Sequence, residues 1–366
     1  MIGYLVFLTI STAIFALFSL GLNLQWGFTG LINFGHVAFM TLGAYTTVLL
    51  SLQGVPLIVS ALAGAGLAAI LGLIIGFSTL RLREDYLAIV TIGVAELIRL
   101  VVNNQELPVG STWTSGAFGV QTYPIPLFTN FQPNFFTQML MIALLTLLFG
   151  LSGWRLWLWV ARGQKSAARV VVAIVVSVLG LVIYGSGTLA LYDYANNQKA
   201  GLMLLSLLVL GFVFWRLQVL IHSPWGRVLK AIREDEEIPR ALGKNVFWYK
   251  LQSLMLGGAI AGIAGAFYAW QLSAVYPDNF QPQITFDAWI MVILGGSGNN
   301  VGPILGAVIF FAYDAITREV LPRIIPLDEA RLGAFRIMVI GLILMILMIW
   351  RPQGILGKKE ELTLGK

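Results

Sequence analysis

The first ionised side chain in the sequence is Arg81, so eighty residues pass without an Asp, Glu, Lys or Arg and with His36 as their only imidazole. A water-soluble domain carries about 25% charged residues, and a stretch this long without any offers water no surface. Over all 366 residues the chain is 11% charged and 58% hydrophobic. Its backbone must therefore be satisfied inside a bilayer, which only helices and closed barrels achieve. The apolar runs are continuous rather than alternating, which argues against a barrel. The expectation is an all-α polytopic membrane protein.

A crossing needs roughly 20 apolar residues. Runs of that kind, bounded by polar or Pro/Gly punctuation, fall at about 3–24, 26–50, 55–80, 86–103, 134–154, 168–187, 201–222, 250–272, 286–317 and 333–350. Read as one transmembrane domain over 1–366, this is about nine transmembrane helices plus a Gly-broken hairpin segment. The first run lacks a basic flank and is as long as a full span, so it reads as a retained helix rather than a signal peptide.

Several chemistries are excluded. The chain has no Cys, and its two histidines, His36 and His222, are 186 residues apart with no paired-ligand spacing. No P-loop is present, so nucleotide cannot be bound by that device. A pI near 9.5 could point to nucleic acid, but the cations lie beside the apolar runs and report orientation instead. Stretches 81–85, 155–169, 216–250 and 351–366 alternate onto one side and hold 17 of the 23 Lys and Arg. That side, with the 216–250 loop and the C-terminus, is expected to be cytoplasmic. Arg318, Arg323, Arg331 and Arg336 fall on the other side, interleaved with Glu319, Asp328 and Glu329. A hairpin at 286–317 that enters and leaves on one face keeps the parity consistent.

Two apolar runs are interrupted. Leu294-Gly295-Gly296-Ser297-Gly298-Asn299-Asn300-Val301-Gly302-Pro303 breaks one, leaving arms of about 286–294 and 303–317. The other break runs from Asn23 to His36 and includes Gln25, Gly27, Gly30 and Asn33. Non-helical backbone at membrane depth survives only when buried in protein or lining a wet cavity, and paired breaks in two halves of a chain point to a translocation path. Asn23, Gln25, Gly30, Asn33, His36, Gly295, Gly296, Ser297, Gly298 and Gly302 are the candidate path residues. Close helix packing is the competing explanation for the breaks, and it is the preferred one for Gly43, Gly64, Gly72 and Gly76. His36 reads as a hydrogen-bonded interior residue rather than a proton relay. Glu96 and Arg99, at i, i+3, form a candidate intramembrane ion pair near the outer end of their span. Mid-span carboxylates are otherwise scarce, which argues against a proton- or sodium-driven carrier.

The 223–250 loop is the longest charged connector. Val228, Leu229 and Ile232 give it one short amphipathic helix. A second is expected over 236–242, with Pro239 in its first turn and Gly243 as its C-cap. Such a loop is either a solvated connector or the seat of a soluble partner.

Here a resemblance becomes specific. Gly226-Arg227, the run Ala231-Ile232-Arg233-Glu234-Asp235-Glu236, Arg240-Ala241-Leu242-Gly243 and Tyr249-Lys250-Leu251 resemble the loop of the branched-chain amino-acid permeases of ABC importers (LivM-like). Leu20-Gly21-Leu22-Asn23-Leu24 with Gly35-His36, Arg81-Leu82-Arg83-Glu84-Asp85-Tyr86-Leu87-Ala88-Ile89-Val90-Thr91, the glycine loop and Arg351-Pro352-Gln353-Gly354 match in order. The resemblance implies that 231–243 is the coupling helix on which an ATPase docks. ATP and Mg would then be bound by that cytoplasmic ABC ATPase, with no cofactor on this chain. It also implies a second related permease subunit, a periplasmic substrate-binding protein, a small amino-acid substrate and a multi-pass place among the lipids of a bacterial inner membrane, with no nucleic acid and no enzyme activity. The chain departs from the family in 134–187, which inserts two extra spans, and at Pro239 and Lys244, where the family has small or aliphatic residues. Competing functions are a urea or short-amide permease of the same architecture, a self-sufficient channel or secondary carrier, and an integral-membrane enzyme, the last disfavoured because no acid/base, nucleophile or metal constellation exists.

Overall fold

A computed structural model of the chain describes residues 1–80, 84–110, 112–128, 131–162, 167–324 and 328–357. Arg81-Leu82-Arg83, Lys165 and the Lys-bearing 358–366, used above to assign sides, lie outside the described residues. The elements run α1 (Ile2–Gln25), α2 (Val37–Leu52), α3 (Leu57–Thr79), α4 (Glu84–Asn104), β1 (Glu106–Val109), β2 (Thr112–Ser115) and β3 (Val120–Gln121). They continue with α5 (Phe135–Arg162), α6 (Ala167–Tyr192), α7 (Ala200–His222), α8 (Pro224–Glu234), α9 (Glu237–Ala241) and α10 (Val246–Leu272). The last are β4 (Ala274–Val275), α11 (Gln283–Gly295), α12 (Val301–Ile324) and α13 (Glu329–Trp350).

Among the described residues, α1, α3, α4, α5, α7, α10 and α13 are long and apolar enough to cross a membrane, and α2 and residues 176–192 of α6 are shorter apolar helices. The 23 residues of α3 rise about 35 Å at 1.5 Å each, enough for a hydrocarbon core of about 30 Å. With the α11–α12 hairpin, this is the expected all-α polytopic architecture.

The break expected between Asn23 and His36 is present: eleven residues of turn and extended chain precede Val37. The hairpin arms are longer than expected, because α12 continues to Ile324 by pairing Asp314 with Arg318 and Glu319 with Arg323 at i, i+4 along its surface. Short strands do form, as the antiparallel ladders β1–β2 and β3–β4. They sit in connectors rich in Val, Thr and aromatic residues, where helix-forming apolar runs are absent.

The chain divides into two compact units. The first comprises Met1–Ser11 and Ile125–Phe212. In it α5 and α6 pair as an antiparallel hairpin, with the Phe149 and Tyr184 rings 5.7 Å apart and Tyr184 Oη 3.0 Å from Thr146 Oγ1. This is the region of the proposed 134–187 insertion. Its apolar residues are largely exposed, including Leu147, Leu151, Trp154 and Leu181, as befits helices bathed in lipid tails. The turn after α6 is pinned by the Tyr194 hydroxyl, which donates to the Leu127 carbonyl. In the same turn, burial lowers the Lys199 ammonium below its ordinary range.

The second unit comprises Thr12–Pro124 and Val213–Lys366, and α10 is its axis. Gly21 and Gly257 face each other where α1 crosses α10, and a Cβ on either would lie 2.6 Å from the other's carbonyl oxygen. At the α2 crossing a Cβ on Gly43 would come within 2.1 Å of Gly262 O, and at the α3 crossing one on Gly72 would lie 3.0 Å from Leu254 O. Close approach through small residues is what drives helix association where lipid removes the hydrophobic incentive. The same device closes the α11–α12 hairpin, where Gly295 meets the backbone of Gly302 and Gly306 that of Met291. On the loop side of α10, β3 pairs with β4 and the buried Tyr123 hydroxyl donates to Ala269 O; burial pushes the Tyr123 phenol up.

Two α2–α3 glycine substitutions separate crossing from surface. Gly43→Val should destabilise the protein by at least about 2 kcal/mol, as overpacking against backbone does, and lower its yield of monodisperse protein in detergent. Gly66→Val, with nothing within 4 Å of the added Cβ, should leave the thermal midpoint unchanged. The two midpoints, measured side by side, check the assignment.

Candidate functional site

The interrupted segments come together. Asn23, the third residue from the end of α1, accepts from the Gly298 amide (3.1 Å) and donates to the Asn299 carbonyl (3.4 Å). α1 loosens after Gln25 and stops at Gly30, whose φ of +82° and amide bond to Trp26 O (2.9 Å) make a left-handed C-cap. The chain then runs extended to His36, and α2 starts with no side-chain cap of its own.

Its orphan amides are satisfied from elsewhere. The Val37 amide donates to Thr285 Oγ1 of α11 (2.9 Å), and the Phe34 amide to Thr91 Oγ1 of α4 (3.2 Å). The Gly35 amide donates to Asn33 Oδ1 (2.9 Å). Carbonyls are treated likewise: Asn33 O accepts from Trp289 Nε1 (3.0 Å), and Leu24 O from Ser253 Oγ (3.1 Å) and Thr29 Oγ1 (3.0 Å). Asn33 Nδ2 donates to Gln25 Oε1 (2.8 Å), and Gln25 Nε2 to Leu254 O of α10 (3.1 Å). Each such group left unpaired at this depth would cost about 1–3 kcal/mol.

Asn23, Gln25, Asn33 and His36 are fully buried, so their side chains serve the protein interior. His36 Nε2 lies 3.2 Å from Phe18 O, which fixes its proton on Nε2, and its ring is packed by Phe18 and Phe39. The groups on the partly open face are aromatic: the Trp26 ring lies tilted 4.5 Å from that of Trp289, and Phe34 lies 5.1 Å from Trp289 and 5.8 Å from Phe286, which is 41% exposed. Sequence reasoning missed this cluster because aromatics inside an apolar run carry no special signal.

The glycine loop has its own anchor. Gly295, Gly296 and Gly302 are buried, while Ser297 and Gly298 are partly open. The segment after α13 lies against the loop: the Ile355 and Leu356 amides donate to Leu294 O (3.1 Å) and Gly295 O (3.0 Å), the carbonyls that end α11. Gly354 (φ +77°) and Gly296 (φ +108°) meet backbone to backbone.

The 223–250 loop is two helices with a break at Asp235. Pro224 opens α8 at a position where its missing amide is harmless. Gly226, Leu229 and Ile232 are buried, while Ala231 and Arg233 are half-buried and Glu234 and Asp235 exposed. Asp235 Oδ1 accepts from the Glu237 amide (2.9 Å) and starts α9, with Pro239 in its first turn as expected. Gly243 (φ +72°) ends it: the Gly243 amide donates to Arg240 O and the Lys244 amide to Pro239 O, both at 3.0 Å. Glu236 pairs with the buried Lys250 of α10, and Arg240 with Glu237 at 2.7 Å. Ala241 and Leu242 are exposed. The 231–243 stretch is thus the end of α8 plus α9, the two short helices expected of this loop, divided where Asp235 caps rather than continues.

Glu96 and Arg99 do pair, through two bonds of 2.6 and 3.0 Å, and Arg99 Nη1 also reaches Asp278 at 3.0 Å in the turn after β4. Asp278 is 78% exposed, so the couple lies at the end of α4 and staples it to the connector beyond α10.

The chain matches the model of a protein family described as branched-chain amino acid transport system / permease component over residues 4–348. It is 30% identical over 347 residues to the high-affinity branched-chain amino acid transport system permease protein LivM of Salmonella typhimurium, and equally to that of Escherichia coli. Each match covers 94% of this chain and 68% of the relative. A probable branched-chain amino acid transport permease protein LivM of Methanocaldococcus jannaschii is 26% identical over 49% of this chain and 54% of its own length. No solved structure matches.

Two substitutions separate scaffold from surface pairing. Thr285→Val removes the hydroxyl that caps α2 and should cost about 1–2 kcal/mol in thermal unfolding, with Thr285→Ser close to wild type. Glu96→Gln should cost no more than about 1 kcal/mol, the range of an exposed pair, and leave transport within twofold; a tenfold loss would make the pair functional.

Proposed function

The chain belongs to the branched-chain amino-acid transport permease family, and from that premise we propose that it is the membrane subunit of an ATP-driven importer for branched-chain or other neutral amino acids. The reading is carried by the outer face of the 223–250 loop. Ile238 on α9 and Leu242 just past its end, four residues apart, are 56% and 74% exposed, and Trp248 is 51% exposed. Three large apolar side chains held out from a loop that is otherwise charged fit the groove of a soluble partner. That partner is an ABC ATPase, which would bind ATP and Mg; the permease itself is no enzyme. Leu242 belongs to the family-like loop, whereas Ile238 and Trp248 were not expected, since exposure cannot be read from residue type.

The Lys/Arg bias sets the loop and the C-terminus in the cytoplasm of a bacterial cell whose inner membrane the chain crosses. A periplasmic binding protein would deliver the amino acid to the opposite face, and a second related permease would complete the channel. The path would run along the face where Trp26, Phe34 and Phe286 are partly open, backed by the polar interior of Asn23, Gln25, Asn33 and His36 and by the glycine loop. Apolar rings suit an aliphatic side chain, and the breaks in α1–α2 and α11–α12 give that wall two hinged halves. Alternating access follows when ATP closes the ATPase dimer and pulls on the docked loops.

Reconstitution tests this. The chain with its partner permease, ATPase and binding protein should take up leucine only with ATP, and uptake by the chain alone down a gradient would sink the reading. Ile238→Asp with Leu242→Asp should weaken ATPase capture at least tenfold, since a buried aliphatic side chain contributes about 1.5–3 kcal/mol. Unchanged capture would move the docking site elsewhere.

A further inference from the structure

Arg233 belongs to the charged loop by sequence, yet its side chain does not join the outer face. It turns back with the buried side of α8, and its Nη1 donates to the carbonyl of Gly27 at 2.5 Å. That carbonyl lies just past the end of α1, in the loosened turn closed by Gly30. Lys230, almost one turn earlier, sets its ammonium 5.8 Å from the centre of the Phe28 ring. Gly30 itself lies along Arg233, an added Cβ coming nearest to Arg233 Cα, Cβ and Cγ at 3.7–3.9 Å. So α8 rests on the first break through one charge-assisted bond and two close contacts.

The far side of the same turn has no slack. A Cβ on Gly27 would lie 2.0 Å from Asn23 Oδ1 and 2.7 Å from the Gly298 amide nitrogen, and Asn23 is bonded to both Gly298 and Asn299. Arg233, Gly27, Asn23 and Gly298 therefore form an unbroken line from α8 to the glycine loop. Two further attachments of the loop, Trp225 to Gln252 (2.7 Å) and Glu236 to Lys250, go to α10. We propose that Arg233 is the positioning residue that carries displacement of the 223–250 loop to the N-terminal break at Gly27, and through Asn23 to the glycine loop. This rests on reading that loop as the ATPase seat. A guanidinium suits the task because its planar fork holds direction, whereas an ammonium is a freely rotating point charge on a shorter stem.

Two experiments test it. In the assembled transporter, Arg233→Ala should cut leucine taken up per ATP hydrolysed at least tenfold, with Arg233→Lys intermediate, while Arg155→Ala, exposed on α5 and outside that loop, keeps the wild-type ratio. A ratio unchanged in Arg233→Ala, or uptake and hydrolysis falling strictly together with the amount of assembled complex, would overturn the proposal. In the purified chain alone, hydrogen exchange should quicken in Arg233→Ala at 23–31 and at 296–300 and stay at the wild-type rate across 250–270. A response confined to α8 would mean the line to the breaks does not exist, whatever the partner does. If instead the wild-type chain neither binds nor is driven by an ATPase, the docking reading falls and the coupling role with it, even where the exchange result holds.

Discussion

Everything in the second unit depends on one constraint: backbone that leaves a helix at membrane depth must find protein partners, because lipid offers none. The break between α1 and α2 frees amides at Phe34, Gly35 and Val37 and carbonyls at Leu24, Gly27 and Asn33. Each is taken by a named side chain, from Thr91, Asn33, Thr285, Ser253, Arg233 and Trp289. Apart from Asn33, which lies in the break itself, these donors and acceptors come from α4, α8, α10 and α11. One break thus specifies where four other helices must stand, and to how close a tolerance.

The glycine crossings are the steric side of the same requirement. Side chains as short as Ser253, Thr285 and Thr91 reach a neighbouring backbone only if the helices are closer than ordinary side chains permit. Gly21 against Gly257, and Gly35 against the Thr91 carbonyl, supply that approach. A hydroxyl placed by a loosely packed helix would miss, and the break would unfold into a longer helix or draw in water. Polar capping and small-residue packing are therefore one device.

Much of this was legible from the sequence, and the parts that were not share a cause. Helix positions follow from local composition: α1, α3, α4, α7 and α10 begin and end within about four residues of the apolar runs, as expected for long continuous patterns. The hairpin could be inferred from the glycines at 295–302 because only Gly tolerates the φ of Gly296 and Gly298. What stayed hidden was pairing. Nothing around Thr285 announces that it caps a helix 248 residues away, and Arg233 reads as one more charge in a charged loop until its partner at Gly27 is seen. The split of α8 from α9, by contrast, was legible from the apolar pattern at 228–232 and from Pro239 and Gly243, and one side-chain bond of Asp235 fixes where it falls. Exposure of Ile238 was invisible, since an aliphatic residue on a short helix is buried more often than not.

The segment after α13 shows what such pairing implies for motion. Arg351-Pro352-Gln353-Gly354 stood out in the sequence without any apparent task. In the structure it turns the chain at Gly354, whose φ of +77° bars a side chain, so that Ile355 and Leu356 can donate to the last two carbonyls of α11. Those carbonyls have no helical donors ahead of them, because Gly296 leads the chain away. The glycine loop is thereby held from two directions, by Asn23 on one side and by 355–356 on the other. Movement of the loop must then either carry the end of α13 with it or break two backbone bonds of about 1 kcal/mol each. The first course costs less, so the hairpin and α13 are expected to travel as one body.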